Sequence, residues 1–196
     1  MMSTSRTGSS GRVAAPAVLA AIAGAALAPV ALGQTWISRT NGNFSDPANW
    51  AGGQVPVSGP STELTFTNLG HASYRAFNDL GPLTLGGITL HSRTGTATFI
   101  GQNPGSSLQF ADGAVIRSTD IGLFRFGGVS GVTNDWWLEG NLTLEAQSYG
   151  SVYIASPVSG PGSITVASTA PSEIRGLFRL EGANGFSGGV VLESGV

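Results

Sequence analysis

Short apolar runs separated by turn-forming residues recur along most of this chain. Where single positions alternate, they do so with the period of a β-strand: Ala97 and Phe99 fall on one face, and Thr96 and Thr98 on the other. Between residues 72 and 126, no window keeps the apolar period of a helix. Strands are therefore predicted at the apolar runs, which are Ser73–Phe77, Leu83–Leu90, Thr96–Ile100, Ser107–Phe110, Ala114–Arg117 and Leu123–Phe126.

A short motif also recurs, in which a small or polar residue precedes an apolar–Thr/Val–apolar triplet. It occurs as Gly87-Ile88-Thr89-Leu90, Asn141-Leu142-Thr143-Leu144, Ser163-Ile164-Thr165-Val166 and Gly189-Val190-Val191-Leu192. The step from Leu142 to Ile164 is 22 residues, and the step from Ile164 to Val190 is 26 residues. Repeats of this length are typical of one coil of a β-solenoid, whose coils stack through parallel ladders over a shared apolar core.

The expected fold is accordingly all-β, a right-handed parallel β-helix or β-solenoid. Two further strands are predicted in the repeat region, at Tyr149–Ile154 and Leu177–Leu180. A β-sandwich is the alternative, and strand direction separates the two because neighbouring strands of a sandwich run antiparallel.

Residues 34–80 are predicted to form an N-terminal cap region, because aromatic residues are concentrated there among turn formers. Trp36, Phe44 and Trp50 are separated by turns such as Asn41-Gly42 and Asp46-Pro47. We expect the three rings to pack together and cover the open apolar end of a stack of coils. The functional alternative is an aromatic platform on which sugar rings stack.

Residues 1–33 have the pattern of a secretory signal peptide. Arg6 and Arg12 precede an uncharged run from Val13 to Leu32 that is rich in Ala, Val and Leu. Small residues at Ala31 and Gly33 predict cleavage after Gly33, and hence a secreted or cell-surface protein. A transmembrane anchor is the alternative, since the run is about 20 residues long.

The composition supports strands and tight turns over helices. The chain has 196 residues with 30 Gly, only 10% charged residues and no Cys. Disulfides and Cys-type zinc sites are therefore excluded. All nine basic residues are Arg and look scattered along the sequence, so we expect no nucleic-acid partner.

Candidate chemistry is sparse, and no catalytic, cofactor-binding or metal-binding residues are assigned. His71 and His91 lie one coil length apart and could form a metal-binding pair, although two exposed loop histidines are the simpler interpretation. Asp135 and Glu139 flank Trp136-Trp137, which resembles the carboxylate pair of a glycoside hydrolase. Residues four apart on one strand are about 13 Å apart at Cα, so a solvated strand face is preferred to a glycoside hydrolase or polysaccharide lyase site. Candidate glycan contacts are Trp36, Trp50, Trp136 and Trp137.

The C-terminal stretch from Leu180 to Gly195 carries a further pattern, formed by Leu180, Gly182, Asn184, Phe186, Ser187, Gly188, Gly189, Val190, Leu192 and Gly195. These residues resemble the autotransporter-associated β-strand repeat of large bacterial secreted and surface proteins. Gly185-Phe186 departs mildly from the usual pattern, and residues 158–164 are similar to the segment that precedes the repeat in that family. The resemblance implies a β-helical passenger region and transfers no catalytic residue.

These observations predict a signal peptide at 1–33, a cap region at 34–80 and solenoid repeats at 81–196. The repeat is open at Val196, so we expect a fragment or a truncated reading frame. The expected function is an exported, non-enzymatic segment with a structural or adhesive role, and the alternative is an extracellular carbohydrate-binding or carbohydrate-active domain. Expected partners are cell-surface glycans or neighbouring coils of a longer protein. Membrane contact is expected only through the signal peptide or a missing C-terminal region.

Overall fold

The computed structural model describes residues 33–70, 72–93, 97–128, 135–169 and 176–193. The described residues are nearly all-β, with 53% of them in strands or β-bridges, and the parallel sheets form a β-solenoid of about five turns. All paired strands within the described ranges run parallel. The predicted solenoid is therefore confirmed, and the β-sandwich is excluded. The signal peptide prediction lies outside the described residues, except for Gly33.

Fifteen strands and two short 3-10 helices make up the described secondary structure. The helices are Pro47–Asn49 and Ala51–Gly53. The strands are β1 Gln34–Trp36, β2 Gly42–Asn43, β3 Glu63–Asn68, β4 Arg75–Asn78, β5 Pro82–Ser92, β6 Ala97–Gln102, β7 Ser107–Ser118, β8 Leu123–Phe126, β9 Asp135–Leu138, β10 Leu142–Ala146, β11 Ser151–Ile154, β12 Val158–Ser159, β13 Ile164–Ser168, β14 Leu177–Leu180 and β15 Val190–Leu192.

Two sheets run the length of the solenoid. The first has the order β1-β3-β5-β7-β10-β13-β15, with β9 paired to β7 and β12 paired to β9. The second has the order β2-β4-β6-β8-β11-β14. The first sheet bends within β5 and β7. The first halves of these two strands pair with each other, and the ladder passes from β7 to β9 and then to β12; the second halves also pair with each other, and the ladder passes from β7 to β10. The coils that contain β5, β7, β9 and β12 therefore present three outward faces.

The register confirms the spacing of the C-terminal repeats. Leu142 pairs with Ile164, and Ile164 pairs with Val190. The earlier motif is offset, because Ile88 pairs with Ile116, which itself pairs with Leu144 and not with Leu142. The motif at Gly87–Leu90 is therefore shifted by two residues in register from the motif at Asn141–Leu144.

The core is built from inward residues that stack in straight rows. One row consists of Leu64, Ile88, Ile116 and Leu144, which are paired in successive coils and are all buried. Neighbouring members of a row are about 4.8 Å apart, the spacing between strands. Each coil therefore covers the apolar edge of the one before it, and no single coil could bury its own side chains.

The N-terminal end of the core is a cluster of aromatic rings. The Trp36 ring centroid lies 5.1 Å from that of Trp50 and 5.9 Å from that of Phe44. Phe66 and Tyr74 complete the cluster, each 6.2 Å from Trp36. The predicted packing of Trp36, Phe44 and Trp50 is thus confirmed. The same segment also supplies strands β1–β4 to both sheets.

Corners of the first sheet bring glycines of successive coils against each other. The Gly162 N–H donates to the Leu138 carbonyl oxygen at 3.1 Å, and the Gly188 N–H donates to the Gly162 carbonyl oxygen at 2.9 Å. A Cβ atom on Gly162 would overlap the carbonyl oxygen of Gly140. The corner backbones stack closely because these positions carry no side chain.

Strand β15 forms the last edge of the first sheet and is open to solvent. Val190, Val191 and Leu192 are 50%, 52% and 70% exposed. Strand β15 pairs with β13 on one side and has no described strand on its other side. An exposed apolar edge strand is a template for pairing with another chain.

We expect the purified chain to self-associate through β15. Val191→Lys should shift it towards the monomer, because a charged edge strand resists pairing. Light scattering over a range of protein concentrations measures the shift. Val57→Lys is the matched control, since Val57 is also exposed but lies outside the edge. A parent chain that remains monomeric at high concentration would contradict the prediction.

Candidate functional site

Three of the four tryptophans proposed as glycan contacts are part of the core. Trp36 and Trp136 are fully buried, and Trp50 is 1% exposed. Trp136 packs between Phe110 and Phe126, with ring centroids 4.7 Å and 4.9 Å away. These three ring faces are covered by other side chains, so a glycan at the surface has no access to them.

Trp137 is the candidate that remains on the surface, where it is 46% exposed. It neighbours Trp136 on β9 and points to the opposite face, because side chains alternate along a strand. The register places Gln109 on one side of Trp137 and Ser159 on the other, in one outward row. Asp135 is also exposed on this face. A half-exposed indole between polar side chains has the chemistry of a sugar-stacking position.

The described histidine makes local contacts at a corner. His91 Nδ1 lies 3.0 Å from Thr119 Oγ1 and 3.8 Å from Asp120 Oδ2. The same carboxylate oxygen lies 3.4 Å from Arg93 Nε. His71 lies outside the described residues, so the two histidines cannot be compared. Within the described ranges, no three His, Asp or Glu side chains come close enough to hold a metal ion.

Glu145 is the acidic residue with the densest set of partners on the first sheet. Its carboxylate accepts hydrogen bonds from Arg117 Nε at 2.8 Å, Gln147 Nε2 at 2.8 Å and Thr169 Oγ1 at 2.9 Å. Partial burial works to raise the pKa of Glu145, but the hydrogen bonds from Gln147, Thr169 and Arg117 and the Arg117 charge outweigh it. The pKa of this carboxyl is therefore held below its ordinary value of 4.5.

A lowered pKa makes this part of the protein sensitive to acid. The stabilisation is fully present above the ordinary pKa and is lost as pH falls through the lower pKa of the folded state. We expect Glu145→Gln to flatten the loss of stability as the pH falls below about 4.5, the ordinary pKa of this carboxyl. Denaturant unfolding at a series of pH values measures this. Arg117→Gln should flatten the same curve, and identical pH profiles for parent and Glu145→Gln chains would contradict the prediction.

The second sheet carries an outward row that the sequence did not reveal. Its five members pair in successive coils and alternate between arginine and an aromatic residue: Arg75, Phe99, Arg125, Tyr153 and Arg179. We call this set the arginine–aromatic row. Arginines that look scattered in sequence are therefore aligned in the fold. The available signal was local, since each member lies between two apolar, aromatic or small residues in the sequence, as in Phe124-Arg125-Phe126.

The guanidinium groups of the row lie close to its rings. Arg75 Cζ is 5.9 Å from the centroid of Phe99. Arg125 Cζ and Arg179 Cζ are 5.9 Å and 5.8 Å from the centroid of Tyr153. These distances are within the range of cation–π contacts, so each arginine of the row has an aromatic neighbour within the row.

A small groove lies at the N-terminal end of the first sheet. Its volume is about 210 Å³, and it is lined by Ile37, Ser38, Arg39, Thr67 and Leu69. Arg39 is its one charged lining residue, so it offers no pair of groups for acid–base chemistry. The ranges that the structure describes contain no helix with the length and apolarity needed to cross a bilayer.

Comparison with known proteins found no match: no family model, no curated protein and no solved structure is significantly similar to this chain. The resemblance of the C-terminal stretch to autotransporter-associated repeats therefore supports a proposal only. The fold itself rests on the strand pairing described above.

Proposed function

We propose that this chain is an exported, non-enzymatic β-solenoid with a structural or adhesive role, of the kind found in autotransporter-like surface proteins. The observation that carries the proposal is the continuous parallel ladder, in which each coil covers the core of its neighbour from β1 to β15. Such a stack supplies a long, stiff surface whose outward rows and turns can vary without disturbing the core. The signal-like residues 1–33 and the repeat-like tail support the same role.

Export is tested by the mature N-terminus and by surface accessibility in the producing cell. We expect the secreted or surface form to begin at Gln34, as N-terminal sequencing or mass spectrometry would show. An epitope placed between Gly52 and Gly53, which are both exposed, should be accessible to antibody and protease on intact cells. Recovery of the chain inside the cell with residues 1–33 attached would contradict the proposal.

An adhesive role is tested by the attachment of the producing cells to surfaces. Deleting the gene should lower attachment to host or matrix surfaces, and expression of the full chain should restore attachment. Normal attachment by the deletion strain would leave a structural role and remove the adhesive one.

Neutral-glycan binding at Trp137 is a second candidate, favoured by its half-exposed indole on an outward row. Trp137→Ala should abolish binding on a glycan array and leave the thermal unfolding midpoint nearly unchanged. Val57→Lys, at another exposed apolar site, is the surface control and should bind normally. Equal binding by parent and Trp137→Ala chains, or no binding by the parent, would exclude this candidate.

A further inference from the structure

The arginine–aromatic row repeats its charge at regular intervals along the solenoid axis. Arg75, Arg125 and Arg179 occupy every second coil, with one aromatic residue between each pair. Successive strands are about 4.8 Å apart, so the backbone positions of successive arginines in the row recur about every 9.6 Å along the axis. A binding partner that contacts all three arginines must extend along the solenoid axis, and negative charges that repeat at a similar distance would match the row.

The row is a basic line on an acidic protein. The whole chain has a net charge of −2, yet three of its nine arginines align here. Among the described acidic residues, Glu181 is the one that forms ion pairs with the row. No described carboxylate pairs with Arg75, and 62% of the Arg179 side chain is exposed. The row therefore attracts negative charge from solution.

Glu181 shows how the row holds a carboxylate. Its Oε2 accepts from an Arg125 guanidinium N–H at 2.8 Å, and its Oε1 lies 3.2 Å from Arg179 Nε. One carboxylate thus bridges arginines that are two coils apart. Charge-assisted bonds of this kind are among the strongest that a surface side chain makes. The equivalent space between Arg75 and Arg125 contains no such bridge from the described residues.

The outward row next to the arginine–aromatic row has small residues in its middle. Gly101 follows Phe77 in that row, and Ala155 lies further along, next to Glu181. The Arg125 guanidinium lies close to this stretch, where a Cβ atom on Gly128 would be 2.7 Å from its Nε.

We propose that the arginine–aromatic row binds a linear acidic polysaccharide, a chain of uronic acid sugars that runs parallel to the solenoid axis. In an extended β-1,4-linked chain, successive sugars face opposite ways, so every second carboxylate lies on the same side. Two sugars joined end to end are close in length to two coils of the solenoid. Guanidinium groups bind carboxylates in a bidentate fashion, and aromatic rings pack against the apolar faces of sugars.

This partner deepens the adhesive role proposed above and depends on that role only for its biological setting. A chain that binds the polymer but is not exported would contradict the proposed function and leave the row intact as a binding site. A chain that is exported but does not bind would do the reverse. The two failures are therefore distinguishable.

The test is isothermal titration calorimetry of the purified full chain with two oligosaccharides that differ only in their carboxylates. Oligomannuronate should bind, and the β-1,4-mannan oligomer of equal length should not. Arg75→Gln and Arg179→Gln should each weaken binding about tenfold, because each removes a charge-assisted contact. Arg93→Gln is the control, since this exposed arginine lies at a corner beside Asp120; its affinity should match that of the parent.

Glu181→Gln separates a binding role from a purely stabilising one. It removes a competing carboxylate, so it should strengthen oligomannuronate binding several-fold even if it lowers the unfolding midpoint. Weaker or unchanged binding by this variant would overturn the proposal. Absence of binding by the parent, or tighter binding of single-stranded DNA than of oligomannuronate, would also overturn it.

Discussion

Replacing Trp136 with alanine is expected to lower the free energy of unfolding by about 4 kcal/mol. The ring is fully buried and lies between Phe110 and Phe126 at 4.7 Å and 4.9 Å, where the first and second sheets meet. Removing it leaves a cavity that neighbouring coils cannot close without breaking their ladders. Denaturant unfolding followed by circular dichroism measures the loss.

Trp137→Ala is the matched control for this change. It alters the same residue type on the same strand, but its ring faces outward and is 46% exposed. We expect its effect on the free energy of unfolding to stay within about 1 kcal/mol. If both variants lost equal stability, the inside–outside assignment of β9 would be wrong.

Replacing Gly162 with alanine is the second change with a large expected effect, a loss of about 3 kcal/mol. A Cβ atom here would overlap the Gly140 carbonyl oxygen and crowd the Leu138 side chain. The overlap is relieved only if the two stacked corners move apart, and that movement lengthens the hydrogen bond from the Gly162 N–H to the Leu138 carbonyl oxygen. The unfolding midpoint in denaturant reports the cost.

Gly185→Ala tests whether that loss comes from the corner or from any glycine substitution. No atom lies within 4 Å of a Cβ placed on Gly185, and its φ is not positive. We expect a change between zero and a small stabilisation, because alanine reduces the entropy of the unfolded chain. If the Gly162→Ala and Gly185→Ala chains were equally stable, the corner at Gly162 would accommodate a Cβ atom, and the prediction would be wrong.

Much of the fold could be predicted from local sequence signals. The strands at Leu123–Phe126 and Leu177–Leu180 have the predicted bounds, because apolar runs and turn residues mark both ends. The two predicted strands Ser107–Phe110 and Ala114–Arg117 are a single strand, β7. Asp112-Gly113 has the residues of a turn, yet it lies inside β7, at the corner between the part of β7 that pairs with β9 and the part that pairs with β10, and Gly113 has a φ of 77° there.

The candidate site was harder to predict, because it depends on which side chains of a strand point inward and on the length of each coil. Trp136 and Trp137 are chemically identical, and only their order relative to the inward Leu138 decides which ring is buried. The arginine–aromatic row could not be predicted from the sequence for a different reason. Its members are separated by 24, 26, 28 and 26 residues (75 to 99, 99 to 125, 125 to 153 and 153 to 179), so no fixed period in the sequence aligns them.

The aromatic cluster at the N-terminal end has a consequence for how the molecule is assembled. Five large rings hold together strands from the first coils of both sheets. Forming the first coils carries the high entropic cost of starting the stack. Each later coil then pairs with a strand edge that is already in place. We therefore expect folding to begin at this end of the described fold, which is synthesised first, and later coils to add to it one at a time.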